Sequence, residues 1–206
     1  MSAFEFFFSF YGMVLGLSVA VIATGFATAV QHRKSIRIGW LTLLLALFVS
    51  LDIATFWDAA WHTFRDAPFS YGMLVVGLAI ALIYFIAASL IFPHQIADGM
   101  NLDDHFRRNK KVVLLLTVGA NLLMVIVAMA QILGRPDAMA IVITYAGSLL
   151  LYLVLIVPAA FTRKPKLFAV LVGLHVAVYL LIACLPAAPA PAPAPPRIAA
   201  ASAPQA

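Results

Sequence analysis

The sequence predicts an all-α integral membrane protein: a six-transmembrane-helix bundle with both termini on the non-cytoplasmic side. Three observations carry that expectation. Six long apolar runs fill the chain, at about residues 7–30, 38–60, 71–92, 112–133, 138–161 and 167–185. Each is near the ~20 residues a helix needs to cross a hydrocarbon core of ~30 Å. The chain is 65% hydrophobic and 10% charged, whereas soluble domains carry about 25% charged residues. Finally, most of its Lys and Arg side chains sit in three alternate connections between the runs. Residues 1–185 read as one transmembrane domain, and residues 186–206 as a Pro/Ala-rich flexible tail.

The first run opens MSAFEFFFSFYG, with no Lys or Arg ahead of its apolar core. A secretory signal needs a basic start, so this segment is expected to be retained as a spanning helix. Phe4, Phe6, Phe7, Phe8, Phe10 and Tyr11 cluster at its outer end, where aromatic rings anchor at headgroup level. Gly12 and Gly16 make a GxxxG, with Gly25 further along. Small residues of this kind permit close helix approach. They recur as Gly72, Gly77, Gly119, Gly147 and Gly173.

Arg33, Lys34 and Arg37 precede the second run, which starts at about Trp40. Trp57, Trp61, Phe64, Phe69 and Tyr71 surround the turn into the third. Pro93 stops the third helix, and Asp98-Gly99 signals a turn. Asn101 then reads as a helix cap, with Asp103 and Asp104 in the first turn, where carboxylates complement the helix dipole. The fourth helix is therefore expected to begin at about Leu102, ahead of its span. Its cluster Arg107, Arg108, Lys110 and Lys111 would lie at headgroup level and snorkel.

Pro136, after Arg135, suits the first position of the fifth helix. Pro158 is expected to kink that helix, and Pro165 separates it from the sixth. Arg163, Lys164 and Lys166 make the third basic connection. Beyond Leu185, alternating Pro and Ala predict a semi-extended spacer, either a disordered tail or a docking peptide for a partner in the outer compartment.

Basic residues collect in loops on the cytoplasmic side of a membrane. Connections one, three and five are therefore assigned to the cytoplasm, with Arg65, Arg135 and Arg197 on the other side. The localisation this implies is multi-pass, in the inner (cytoplasmic) membrane of a bacterium. The net charge of +5 is explained by the lipid bilayer as partner. No basic stripe interleaved with aromatics lies outside the apolar runs, so nucleic-acid binding has no support.

Ionisable groups inside hydrocarbon are functional candidates by default. Asp52 lies about fourteen residues from the inner end of helix 2, ~21 Å deep, and His175 about eight residues into helix 6, ~12 Å deep. Depth counting gives two layers. Tyr84, Asn121, Tyr152 and His175 form the inner one, and Asp52, Tyr145, Ser148 and Tyr179 the outer. His175 and Tyr179 share a helix face at i, i+4. Turned inward, these residues would form a polar thread through the bundle. Two readings stay open: solute or proton handling, and helix-to-helix hydrogen bonding.

Asp58 and His62 form a second i, i+4 pair at the outer end of helix 2, within WDAAWHTF. They read as an anchor of the helix end or as a shared proton or metal position, although two ligands make a poor zinc site. His94, Asp98, Asp103, Asp104 and His105 match no strong ligand spacing. Haem would need a second buried His at the depth of His175, and none is available. The lone Cys184 allows no internal disulfide, and its lipobox-like neighbours end the last span instead of a signal peptide.

No metal, cofactor or catalytic residue is therefore expected. An enzyme is the least supported class, since no nucleophile has a paired base. The preferred function is transport or proton/ion permeation through the bundle by Asp52, His175, Tyr179, Asn121, Tyr84, Tyr145 and Tyr152. Six short helices make a thin wall, so a homo-oligomer is expected for that function. The alternative is a non-catalytic accessory subunit or assembly factor of a larger membrane complex.

Overall fold

The computed structural model describes residues 3–65, 70–95, 99–132 and 138–185, with side chains from Glu5 onward. The Asp98 turn, Phe69, the Arg135-Pro136 turn, the Phe4 side chain and the tail from 186 lie outside the described residues. Those described form six α-helices: α1 (Ala3–Gln31), α2 (Trp40–Phe64), α3 (Tyr71–Ser89), α4 (Leu102–Ile132), α5 (Ala138–Phe161) and α6 (Pro165–Cys184). Each is long and apolar enough to cross a membrane. Even α3, the shortest at 19 residues, spans about 28 Å at 1.5 Å per residue. This is the architecture of a multi-pass membrane protein.

The local rules of the chain explain the helix ends. Ser70 caps α3, its Oγ accepting from Met73 N at 3.3 Å. Asn101 Oδ1 accepts from Asp103 N at 3.0 Å, so α4 does start at Leu102, nearly three turns ahead of its apolar stretch. Pro165 sits in the first turn of α6, where its missing N–H leaves no bond unmade. α5 continues through Pro158 to Phe161.

Around the bundle the neighbours run α1, α3, α4, α5, α6 and back through α2, which also packs on α3 and α4. α2 is the central helix, its backbone close to that of every other helix except α5. The outer faces are apolar: Met13, Ile126, Leu150 and Leu181 are all more than half exposed. In water such a surface would drive association; in lipid it is an ordinary solvent-facing surface, and helices satisfy their own backbone groups there.

All three basic connections gather at one end. Arg37 N donates to Met100 O at 3.3 Å, Leu102 N to Arg37 O at 3.2 Å and Gly99 N to Ser35 O at 3.0 Å, which zips connection one to connection three. Gly99 adopts φ +79° there, a left-handed conformation that glycine takes without strain. Lys110 ties in connection five. Its Nζ donates to the Thr162 carbonyl and to Ala159 O at 3.5 Å, capping the C-terminus of α5 with a cation. This end is called the basic end below, and the opposite one the far end.

Two expectations about packing need refinement. The aromatic residues near the far end do more than anchor. Phe7, Phe8, Tyr11, Phe56 and Phe64 are buried, and Phe8 meets Trp57 and Trp61 edge-on at 4.8 and 4.9 Å, knitting α1 to α2. The glycines also divide. A Cβ at Gly12 would collide with the Trp57 ring, one at Gly25 with Phe92 and one at Gly77 with Phe7, whereas Gly16, Gly119, Gly147 and Gly173 face open space. The GxxxG is thus half a packing motif: only its first glycine carries a contact.

Candidate functional site

Asp52 is at the centre of the molecule. It sits midway along α2, is 1% exposed, and accepts hydrogen bonds from four other helices. Tyr179 Oη of α6 donates to Oδ1 at 2.6 Å. Tyr84 Oη of α3 and Tyr152 Oη of α5 donate to Oδ2 at 3.0 and 3.2 Å. Asn121 Nδ2 of α4 lies 3.3 Å from both carboxylate oxygens, 3.1 Å from Tyr84 Oη and 3.0 Å from Thr117 O. Two amide protons are shared among these acceptors. An ionised carboxylate offers about four lone-pair positions, so neutral donors fill them all. Among the described residues no Lys or Arg is a partner of Asp52.

The two expected layers are therefore one cluster. Helix direction explains the merger. Side chains lean toward the N-terminus of their own helix. α2 starts at the basic end, so Asp52 leans that way. α3 and α5 start at the far end, so Tyr84 and Tyr152 lean outward to meet it. A phenol also carries its hydroxyl far from its Cα. Residues counted a turn or two apart in depth thus converge on one carboxylate.

His175 is 4% exposed but joins no hydrogen bond: both ring nitrogens are buried without a partner. Its ring instead packs edge-on against Tyr179 at 4.5 Å, Tyr152 at 5.0 Å and Phe48 at 5.8 Å. An orphaned buried polar group costs about 1–3 kcal/mol, and His175 is the member of the cluster in that position. Tyr145 also stays off the carboxylate, sharing a hydrogen bond with Thr63 Oγ1 at 2.9 Å. Ser148 Oγ donates to Tyr145 O at 3.0 Å.

A cavity of about 270 Å³ rises from this cluster. Asp52, Asn121, Tyr152, Tyr179 and His175 form its floor, and Thr55, Phe56, Ala59, Met124, Tyr145 and Leu149 are among its walls. All of the wall residues lie toward the far end of their helices. The cavity lies beside the N-terminal half of α5. From Ala138 to Leu151 no residue of α5 is buried, whereas Tyr152, Leu155, Ile156, Ala159 and Ala160 are. The backbones of α2 and α5 do not come close, so side chains bridge them: Tyr152 to Asp52 and Tyr145 to Thr63. Thr55 and Ser148, both exposed, mark the open side.

Toward the basic end the interior is dry. One to two turns below the cluster stand Leu45, Phe48, Leu114, Ile156, Phe168 and Val172, each at most 1% exposed. The polar thread does not run through: it is a pit with an apolar plug beneath it. The polar groups at that level bond locally instead, Thr117 Oγ1 to Leu114 O at 2.9 Å and Thr42 Oγ1 to Leu102 O at 3.4 Å.

No family model, curated protein or solved structure matches the chain. The geometry of this pit is thus the whole basis for a functional reading.

The remaining candidates lie apart from the pit. Asp58 and His62 are 77% and 68% exposed, 3.6 Å apart, with His62 Nδ1 2.9 Å from Asp58 O, so the pair sits on the outer surface of α2. His105 Nε2 lies 3.0 Å from Leu90 O and so closes the C-terminus of α3. Among the described residues no three His, Cys, Asp or Glu side chains converge as metal ligands would. Phe48 and Phe56 were overlooked at the sequence level. Their signal was present, since both stand four residues from Asp52 and so share its helix face.

Proposed function

We propose that the protein is a small transporter of the bacterial inner membrane that receives its solute from the non-cytoplasmic side, in the pit above Asp52. The observation that carries this reading is a buried carboxylate, held by four helices, at the floor of a cavity whose walls lie mostly toward the far end. Placing the basic end in the cytoplasm follows from the positive-inside tendency, and the pit then faces outward. The apolar plug supports gated transport over an open pore, because moving a solute past Phe48 and Leu114 requires the helices to rearrange. α2 and α5, joined through side chains alone by the Asp52–Tyr152 and Thr63–Tyr145 hydrogen bonds, are the pair best placed to separate. A carboxylate bonded to every moving element couples occupancy of the pit to helix position.

The alternative is an accessory subunit of a larger membrane complex. The bare N-terminal half of α5 favours it, since a neighbouring helix would fill the cleft beside α2. Flux into proteoliposomes separates the two. With a pH-sensitive dye inside and candidate solutes outside, wild-type protein is expected to pass protons or solute above the lipid background, and Asp52→Asn at least tenfold more slowly. Background flux for both proteins, with a stoichiometric partner recovered from native membranes, decides for the subunit.

A further inference from the structure

The geometry points to a ligand class for the pit: a monovalent organic cation with an apolar body and no N–H on its charged centre, of the quaternary ammonium type. This deepens the transport reading and rests on the same cavity.

Charge comes first. Among the described residues Asp52 is the only carboxylate lining the cavity, and no Lys or Arg lines it. An anionic guest would meet a carboxylate with nothing to offset it, in surroundings where charge is poorly screened. A cation would meet a counter-charge that the protein itself leaves unneutralised.

Hydrogen bonding comes second. Tyr179 and Asn121 occupy Oδ1, and Tyr84, Tyr152 and Asn121 occupy Oδ2. A primary ammonium needs free acceptors for its three donors and would have to displace a phenol. A quaternary centre needs none and is held by field and by ring faces. The rings are in place: Phe56, Tyr145, Tyr152, Tyr179 and His175 all line the cavity. Aromatic cages are a recurrent solution for such cations.

The orphaned imidazole comes third. His175 is 4% exposed, lines the cavity and has no partner at either nitrogen. Unpartnered buried groups of this sort are few in a finished interior. A guest without hydrogen-bonding groups leaves those nitrogens as they are; what His175 offers it is an aromatic ring, held edge-on to Tyr152 and Tyr179. The remaining wall, including Met124, Val125, Leu149 and Val178, is apolar and suits a hydrocarbon body.

The test is calorimetric titration of the intact protein in lipid nanodiscs. Benzyltrimethylammonium is the probe, with benzylammonium and benzenesulfonate as controls. Saturable one-to-one binding of the quaternary cation is expected, with benzylammonium no tighter and benzenesulfonate inert. Asp52→Asn is expected to weaken binding at least tenfold while gel filtration and helical circular dichroism stay unchanged. Ala59→Phe, which fills the cavity without touching the carboxylate, is expected to weaken it comparably, so the result does not depend on one variant folding. Absent cation binding, binding by Asp52→Asn or Ala59→Phe as tight as by the wild type, or competition by benzenesulfonate overturns the inference. Asp52-dependent proton flux without cation binding overturns it too, while leaving the transport reading intact. Asp52-dependent binding without any flux has the opposite consequence.

Discussion

Hydrogen bonds to Asp52 are the residue-scale feature on which the bundle turns. Neutral interhelical hydrogen bonds in membranes contribute ~0.6 kcal/mol on average, and those to a charged group contribute more. The shortest, from Tyr179 at 2.6 Å, joins α6 to the central helix, whereas the bond from Tyr152 is 3.2 Å. Tyr179→Phe is expected to destabilise the protein by about 1–2 kcal/mol, and Tyr152→Phe by less. Thermal unfolding in detergent checks the order; equal losses would mean that the rings, and not the hydroxyls, hold these helices. His175 is the counterpart. Its burial without partners is a local cost that packing against Phe48 and Tyr179 offsets.

Helices meet where glycine lets them, and that is decided one element at a time. Gly25 on α1 faces Phe92, where an added Cβ would lie 2.7 Å from the Phe92 Cβ. That atom is fixed to the backbone, so no rotamer relieves the overlap. Gly25→Ala is expected to cost about 1–3 kcal/mol, the usual range for overpacking. Gly16→Ala, into open space on the same helix, is expected to be neutral or slightly stabilising, because alanine is the better helix former. Paired denaturation curves test the contrast. Equal effects would show that α1 does not pack on the α3–α4 connection as described. α5 shows the opposite design. Its second half is buried and capped by Lys110, and its first half is bare. That asymmetry opens the pit.

The whole molecule has one polarity. Three basic connections share an end, and the walls of the pit lie mostly toward the other. Cys184, exposed and last in α6, reports on that far end. With the basic end in the cytoplasm, a membrane-impermeant maleimide is expected to label Cys184 on intact cells. In a Cys184→Ala background, Arg108→Cys is expected to label only after permeabilisation. The reverse pattern would invert the protein and point the pit into the cytoplasm.

The sequence by itself determined six helices long and apolar enough to span a membrane, the alternation that gathers the basic connections, and most helix ends. These are local or additive properties: hydropathy summed over a run, a cap read within four residues, a charge count per loop. It also singled out Asp52, Tyr84, Asn121, Tyr152 and Tyr179 as polar groups inside hydrocarbon, because such groups stand out against an apolar background. Tertiary structure alone decided that these five meet at one point, that His175 and Tyr145 stand aside, and that the polar route ends in a plug. Those facts depend on helix rotation, tilt and side-chain lean. Helices that are apolar all round carry almost no amphipathic signal of facing. Depth counted along a chain cannot replace it, since a tyrosine hydroxyl reaches across the layers that such counting draws.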